Sequence, residues 1–310
     1  METVRQELLF VSELHTEQNT KKRVHGERLM ISVTEGDVEA ILYRGNPNSA
    51  TIICAYGGGF IMGGCAIDDH MWTTVSSELG VNILSVGYRK GPEYSFPTAL
   101  YDVYHALCWF VKNKEVLGIK SDKIAVMGAS AGGNLAAATA ILDRIKGTNY
   151  VGLQILNYPY LDLDTDPADK GHPEEGCPAY RLFPEIYVPT GDRRNPLVSP
   201  IFVSDNLENL PPAYITVAGA DPLCAEGTRY YEKLREAGVM TELATAEGMP
   251  HGYLEAWFNL SEPGVDEEAG YRPEELMVIY ENGTLGREAE KTIRFIEKAL
   301  ATVWNCLESD

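Results

Sequence analysis

Three residues of this chain have the types and the order that acyl transfer by a serine requires. Ser130 stands in Gly128-Ala129-Ser130-Ala131-Gly132, Asp221 in Gly219-Ala220-Asp221-Pro222, and His251 in Met249-Pro250-His251-Gly252. A serine hydroxyl is a weak nucleophile until a base takes its proton, and a histidine serves as that base when a carboxylate orients its ring. A fourth stretch, Gly57-Gly58-Gly59, offers backbone without side chains, where N–H groups can face an oxygen that turns negative in the transition state. A phosphate-cradling loop is the competing reading of these glycines, but no Gly-Lys-Ser/Thr follows them and no acidic ribose partner is placed. Each residue also has a plain structural reading. Gly-x-Ser-x-Gly is a weak pattern alone, Asp221 would cap a helix starting near Leu223, and His251 would be a satisfied turn residue.

The elements around them favour the chemical reading. Ile124-Ala125-Val126-Met127 reads as a buried strand that runs into the serine turn, and the Ala-rich segment from Leu135 to Leu142 reads as a helix leaving it. A serine on such a tight strand-to-helix turn is pushed out above the sheet. The helix N-terminus then presents unpaired N–H groups and a positive dipole end toward developing negative charge. Asp221 and His251 each follow a segment that reads as a strand, at 214–218 and 240–245. Both therefore sit on loops beyond strand C-terminal ends, where open α/β sheets place their sites.

Strand and helix patterns alternate along most of the chain. Two strands at 28–33 and 38–43, joined by Glu35-Gly36-Asp37, suggest an antiparallel hairpin near the start. Strands follow at 51–56, 81–86 and 151–157, with helices at 69–79, 98–116, 223–237 and 286–303. The expectation is an α/β fold with a mainly parallel central sheet and helices on both faces. A short amphipathic helix is expected at 2–14. Residues 158–200, rich in Pro, Asp and aromatics, break the alternation and read as a cover over the site. Residues 261–285, acidic with Gly and Pro, read as an ordinary surface insertion.

Bulk properties narrow the function further. Across 310 residues the net charge is −19, which repels polyanions, so nucleic acid and anionic membrane surfaces are poor partners. No run of about 18 apolar residues marks a membrane span. The N-terminus has acidic residues and no apolar signal core. Cysteines 54, 65, 108, 177, 224 and 306 stand far apart without zinc or disulfide-framework spacing, which fits a reducing cytoplasm. Histidines 15, 25, 70, 105 and 172 show no metal spacing. Asp68-Asp69-His70 reads as a helix start, and His251 with Glu255 lacks the second histidine of a zinc-protease motif. No cofactor or metal is expected, and a homo-oligomer stays open.

From about Thr51 to Ala256 the chain resembles the hormone-sensitive-lipase-like carboxylesterases of the α/β-hydrolase superfamily. The resemblance rests on the glycine triplet with Phe60, on Tyr88-Arg89-Lys90-Gly91-Pro92-Glu93 with Phe96-Pro97, and on Gly128 to Asn134. Asp221-Pro222-Leu223 and His251-Gly252-Tyr253 complete it. It implies an α/β-hydrolase fold in a single domain over 1–310, with a cap from 1–25 and 158–200. It also implies Ser130 as nucleophile, His251 as base, Asp221 as its orienter, and the N–H groups of Gly58, Gly59 and Ala131 as the oxyanion hole. The implied activity is cofactor-free hydrolysis of small short-acyl esters, acetyl esters first, through an acyl-enzyme. The alternative is a catalytically silent ligand-binding receptor or scaffold on the same fold. The chain departs from the family in having Tyr56 where a histidine usually precedes the glycines, and Ala129 where an aspartate often precedes the nucleophile. The Tyr56 hydroxyl is expected to brace the glycine loop against a neighbouring loop, with purely apolar packing as the other reading.

Overall fold

The strands that were legible as apolar runs assemble into one eight-stranded sheet in a computed structural model that describes residues 2–170, 178–261 and 274–306. In chain order the strands are β1 (Glu27–Val33), β2 (Gly36–Tyr43), β3 (Thr51–Ala55), β4 (Asn82–Val86), β5 (Ile124–Ala129), β6 (Leu153–Asn157), β7 (Ala213–Ala218) and β8 (Thr241–Ala246). Their order across the sheet is β1-β2-β4-β3-β5-β6-β7-β8. The β1–β2 hairpin is antiparallel, turning at Gly36 with φ +118°, and β2 also runs antiparallel to β4. From β4 to β8 every pairing is parallel. This is the α/β-hydrolase sheet, with the expected hairpin at its edge.

The central strands are buried from end to end because helices cover both faces. On one face lie α3 (Thr98–Asn113), α4 (Ala131–Lys146) and α6 (Cys224–Glu236). On the other lie α2 (Asp69–Leu79), α7 (Tyr253–Ser261) and α9 (Thr284–Cys306). Strand β5 shows the period-two logic: Ile124 and Val126 point into the first layer, while Ala125, Met127 and Ala129 point into the second.

Two sequence readings need correction. The first helix, α1, spans Glu2–Lys21 rather than 2–14, and none of its residues is fully buried. Its continuation through Thr16-Glu17-Gln18-Asn19-Thr20 is polar, so hydrophobic periodicity stops marking it before it ends. The stretch 261–285 is only partly described, 262–273 lying outside the described residues, but it contains α8 (Glu274–Glu281). Leu276, Ile279 and Tyr280, at helical spacing, pack that helix onto the second core layer, so it belongs to the fold's helical cover. The segment 158–200 holds a helix, α5 (Pro178–Tyr187), which packs against α1. No described helix is long and apolar enough to cross a membrane. Cys54, Cys65, Cys108 and Cys224 are free thiols, whereas Cys177, His172 and the side chain of Cys306 lie outside the described residues.

Candidate active site

The serine turn is shaped by what its glycines must avoid. Ser130 joins β5 to α4 with φ +56° and ψ −121°, a left-handed backbone that non-glycine residues rarely adopt. A Cβ on Gly128 would lie 2.2 Å from the carbonyl oxygen of Gly132, and one on Gly132 would lie 2.0 Å from that of Ala55. Any side chain at either position would push α4 away from the sheet. Backbone bonds then hold the strained turn. The Ser130 N–H donates to the Asn157 carbonyl at 3.0 Å, and the Ser130 carbonyl accepts from Tyr160 N–H at 3.0 Å. Asn134, buried one turn into α4, donates to the carbonyls of Tyr160 and Val198, both at 2.8 Å.

The loops after β7 and β8 are stitched together, Gly219 N–H to the Ala246 carbonyl at 2.8 Å and Ala220 N–H to the Met249 carbonyl at 3.0 Å. This brings Asp221 and His251 to the serine. His251 Nε2 is 2.8 Å from Ser130 Oγ, and His251 Nδ1 is 2.6 Å from Asp221 Oδ2. The Asp221 carboxylate is fully enclosed, whereas a quarter of the His251 side chain (26%) reaches solvent. The two Asp221 oxygens have different partners: Oδ1 accepts the N–H of Leu223, the residue before α6, at 2.8 Å, without capping the first turn of that helix, and Oδ2 faces the imidazole.

The glycine loop lies beside the serine. A Cβ placed on Gly57 would be 3.7 Å from Ser130 Cβ. Gly58 (φ +127°) and Gly59 (φ +61°) both adopt backbone that favours glycine, and a Cβ on Gly59 would strike the Phe183 ring at 2.4 Å. Among the described residues the N–H groups of Gly58, Gly59 and Ala131 form no hydrogen bond. The arrangement therefore sets a serine hydroxyl against an imidazole held by a carboxylate, beside unpaired N–H groups of the glycine loop and of the α4 N-terminus, an array suited to acyl transfer.

A profile of the family described as alpha/beta hydrolase fold matches residues 52–255. An arylesterase of Saccharolobus solfataricus is 35% identical over 223 residues, covering 67% of this chain and 69% of that protein. The chain belongs to the hormone-sensitive-lipase-like carboxylesterases. An ethyl acetate hydrolase of Pseudomonas putida is 30% identical over 213 residues, 66% of each chain. Among solved structures, a hyperthermophilic esterase from the archaeon Pyrobaculum calidifontis superposes with TM-score 0.76 at 30% identity, covering 97% of this chain and 93% of that one.

Where carboxylesterases of this branch usually carry a histidine, Tyr56 forms a reciprocal pair with Tyr88 in the loop after β4. Each hydroxyl donates to the other residue's carbonyl at 2.9 Å, and the rings stack with centroids 4.1 Å apart. Burial raises both hydroxyls well above the ordinary tyrosine range, so both remain protonated donors. The Tyr56 hydroxyl is thus bonded to a neighbouring loop, so its packing is not purely apolar. Tyr56→Phe is expected to lower kcat by less than the roughly 10²–10³ that loss of a direct oxyanion donor costs. Stability should fall by about 1–3 kcal/mol, since the Tyr88 carbonyl is left buried and unpaired. Steady-state kinetics with denaturant unfolding checks both. Wild-type values in each would show the hydroxyl to be idle.

Sequence reasoning missed the groups behind the histidine. Tyr158, with φ +34°, sets its ring edge-on to His251 at 5.3 Å between centroids and donates its hydroxyl to Glu255. Glu255 had drawn notice only for its spacing from His251. Buried Asp68 interacts with Glu255, and its carboxyl is pushed up to about 7 by burial first and by the Glu255 charge second. Asp68 does precede α2, as its position suggested, but makes no side-chain cap bond. Asp69 instead accepts the His25 N–H at 3.0 Å and the Tyr43 hydroxyl at 2.9 Å, tying the segment after α1 to the sheet. Among the described residues no three His, Cys, Asp or Glu side chains are grouped to hold a metal ion.

Proposed function

We propose that this carboxylic ester hydrolase cleaves small short-acyl esters, acetyl esters first, through a Ser130–His251–Asp221 triad and an acyl-enzyme. The observation that carries the reading is the imidazole bridging Ser130 Oγ at 2.8 Å and Asp221 Oδ2 at 2.6 Å. His251 Nε2 takes the hydroxyl proton as Oγ attacks the ester carbonyl, while Asp221 holds Nδ1–H and favours the imidazolium that forms. The carbonyl oxygen becomes an oxyanion that Gly58, Gly59 and Ala131 N–H groups receive. Collapse of the tetrahedral adduct transfers the proton from Nε2 to the leaving alcohol. Water, deprotonated by the same nitrogen, then releases the acid.

Substrate size is inferred from the roof. We read α1 and α5 as a cap on a single hydrolase domain. Tyr180 in α5 stands edge-on to His251 at 6.0 Å and Phe183 lies on Gly59, so aromatic rings close the space above the serine. The charge of −19 disfavours an anionic lipid surface, and free thiols suit a reducing compartment such as the cytoplasm. The silent-receptor alternative has no observation in its favour.

Aryl esters from acetyl to decanoyl, assayed on purified protein, test the assignment. Acetyl to butyryl esters are expected to have the highest kcat/KM, with at least about a tenfold fall toward decanoyl, since each misplaced methylene is worth about 1–3 kcal/mol. Faster turnover of long-chain triglyceride emulsions would overturn it.

A further inference from the structure

Helix α1 buries no residue, yet it is anchored at one spacing along one face. Ser12 Oγ donates to the Ile61 carbonyl at 2.6 Å, and His15 Nδ1 accepts the Gly63 N–H at 3.1 Å. Asn19 Oδ1 accepts the Ala66 N–H at 2.7 Å, and Lys22 Nζ, just past the helix, donates to the Ile67 carbonyl at 3.0 Å. Positions 12, 15, 19 and 22 fall on one helical stripe. Their partners are backbone groups of one segment, 61–67, that continues directly from the glycine loop. Over this stretch the seam is polar side chain against main chain, whereas the apolar contacts of α1 come from Leu8 and Leu9 nearer its N-terminus.

Gly63 is the point where this seam meets the glycine loop. Its N–H is taken by His15, and its carbonyl accepts from Lys90 Nζ at 2.6 Å, so both sides of the residue are held. Lys90 also reaches Thr16 Oγ1 at 3.3 Å. A Cβ on Gly63 would lie 2.5 Å from the Gly57 carbonyl oxygen and 2.6 Å from the Tyr56 ring. Ile61 and Met62 N–H both donate to the Gly58 carbonyl, at 3.1 and 2.8 Å. The loop thus folds back on itself, with Gly63 set closely against the Gly57 carbonyl and its neighbours Ile61 and Met62 bonded to that of Gly58.

We infer that His15 and Asn19 are positioning residues for the oxyanion loop, α1 acting as a strut that sets the Gly58 and Gly59 N–H groups through Gly63 and Ala66. The inference rests on the oxyanion role assigned to those glycines above. His15 suits the task only as a neutral ring with its proton on Nε2, because a protonated Nδ1 cannot accept a hydrogen bond. Burial, and then the neighbouring Lys90 charge, hold its pKa below the ordinary histidine value, which keeps the acceptor available at neutral pH.

The test uses the full-length protein with His15→Ala, His15→Asn and Asn19→Ala. Asparagine at 15 keeps an acceptor without the ring. Kinetics on a short aryl ester are normalised to active sites titrated with a fluorophosphonate, so partial unfolding does not count as lost kcat. His15→Ala and Asn19→Ala are expected to lower kcat roughly 5–50-fold with KM unchanged, the mark of an interaction expressed only in the transition state. His15→Asn should return kcat to within about threefold of wild type, the range of one ordinary hydrogen bond. Amide hydrogen exchange over 57–67 supplies a readout independent of any esterase activity. It should speed up by roughly five- to tenfold in the two alanine variants and not in His15→Asn. Unchanged exchange over this segment in both alanine variants would overturn the strut. So would kcat per titrated site equal to wild type, or an equal loss in His15→Asn. Failure of the esterase assignment shows elsewhere, as hydrolysis that survives loss of Ser130.

Discussion

Replacing Ser130 with alanine is expected to reduce ester hydrolysis by at least about 10⁴-fold while leaving the fold in place. Among the described residues the side chain's one hydrogen bond is that of Oγ with His251 Nε2 at 2.8 Å, so deletion of the hydroxyl removes the nucleophile and little else. Alanine meets the same backbone strain at φ +56° that serine already bears, and the turn is held by main-chain bonds to Asn157 and Tyr160 that the substitution leaves intact. Stability should therefore stay within about 0.5 kcal/mol of wild type. A fluorophosphonate should label wild-type protein at Ser130 alone and leave the variant unlabelled. Labelling at another residue, or hydrolysis above about one per cent of wild type, would end the triad mechanism, because the oxyanion donors and binding alone retain far less than that.

Asp221→Asn should be nearly as damaging, for a reason specific to this carboxylate. Two donors face it from opposite oxygens: the Leu223 N–H at 2.8 Å from Oδ1, and His251 Nδ1 at 2.6 Å from Oδ2. A carboxylate accepts both bonds, but an amide can accept only one of them. If the amide oxygen stays with Leu223, its NH₂ points at Nδ1 and drives the imidazole proton to Nε2, where it blocks acceptance of the serine proton. If the amide flips, the turn that carries residue 221 loses its N–H partner. The first arrangement predicts a fall in kcat of about 10⁴, the size of a tautomer error in a serine triad. The second predicts a stability loss of about 1–3 kcal/mol. Kinetics and thermal unfolding on the same preparation tell the two apart. A variant within tenfold of wild-type kcat and with wild-type stability would show that Asp221 orients nothing.

The candidate residues were legible because the patterns that mark them are local. Gly128 and Gly132 must be small so that β5 and α4 can approach, and the motif displays that need within five residues. Asp221 and His251 declare themselves by type, order and position after strands whose burial requires apolar runs. The hairpin, the parallel sheet and the family follow from the same short-range patterns.

What the linear pattern withheld is pairing between distant segments. Tyr56 with Tyr88, His15 with Gly63, and Tyr158 with Glu255 are separated by 32, 48 and 97 positions, and no periodicity links them. The polar stripe of α1 escaped a reading built on apolar spacing, because its partners are backbone groups that carry no side-chain signature. Helix α8 was obscured by the acidic, Gly- and Pro-containing stretch before it, and only its packing on α9 places Leu276, Ile279 and Tyr280 against the core. By itself the sequence determined which residues are the candidates for the chemistry and which element carries each. Only the tertiary structure decided what holds them, because a hydrogen bond depends on ångström-scale geometry that composition and spacing do not encode.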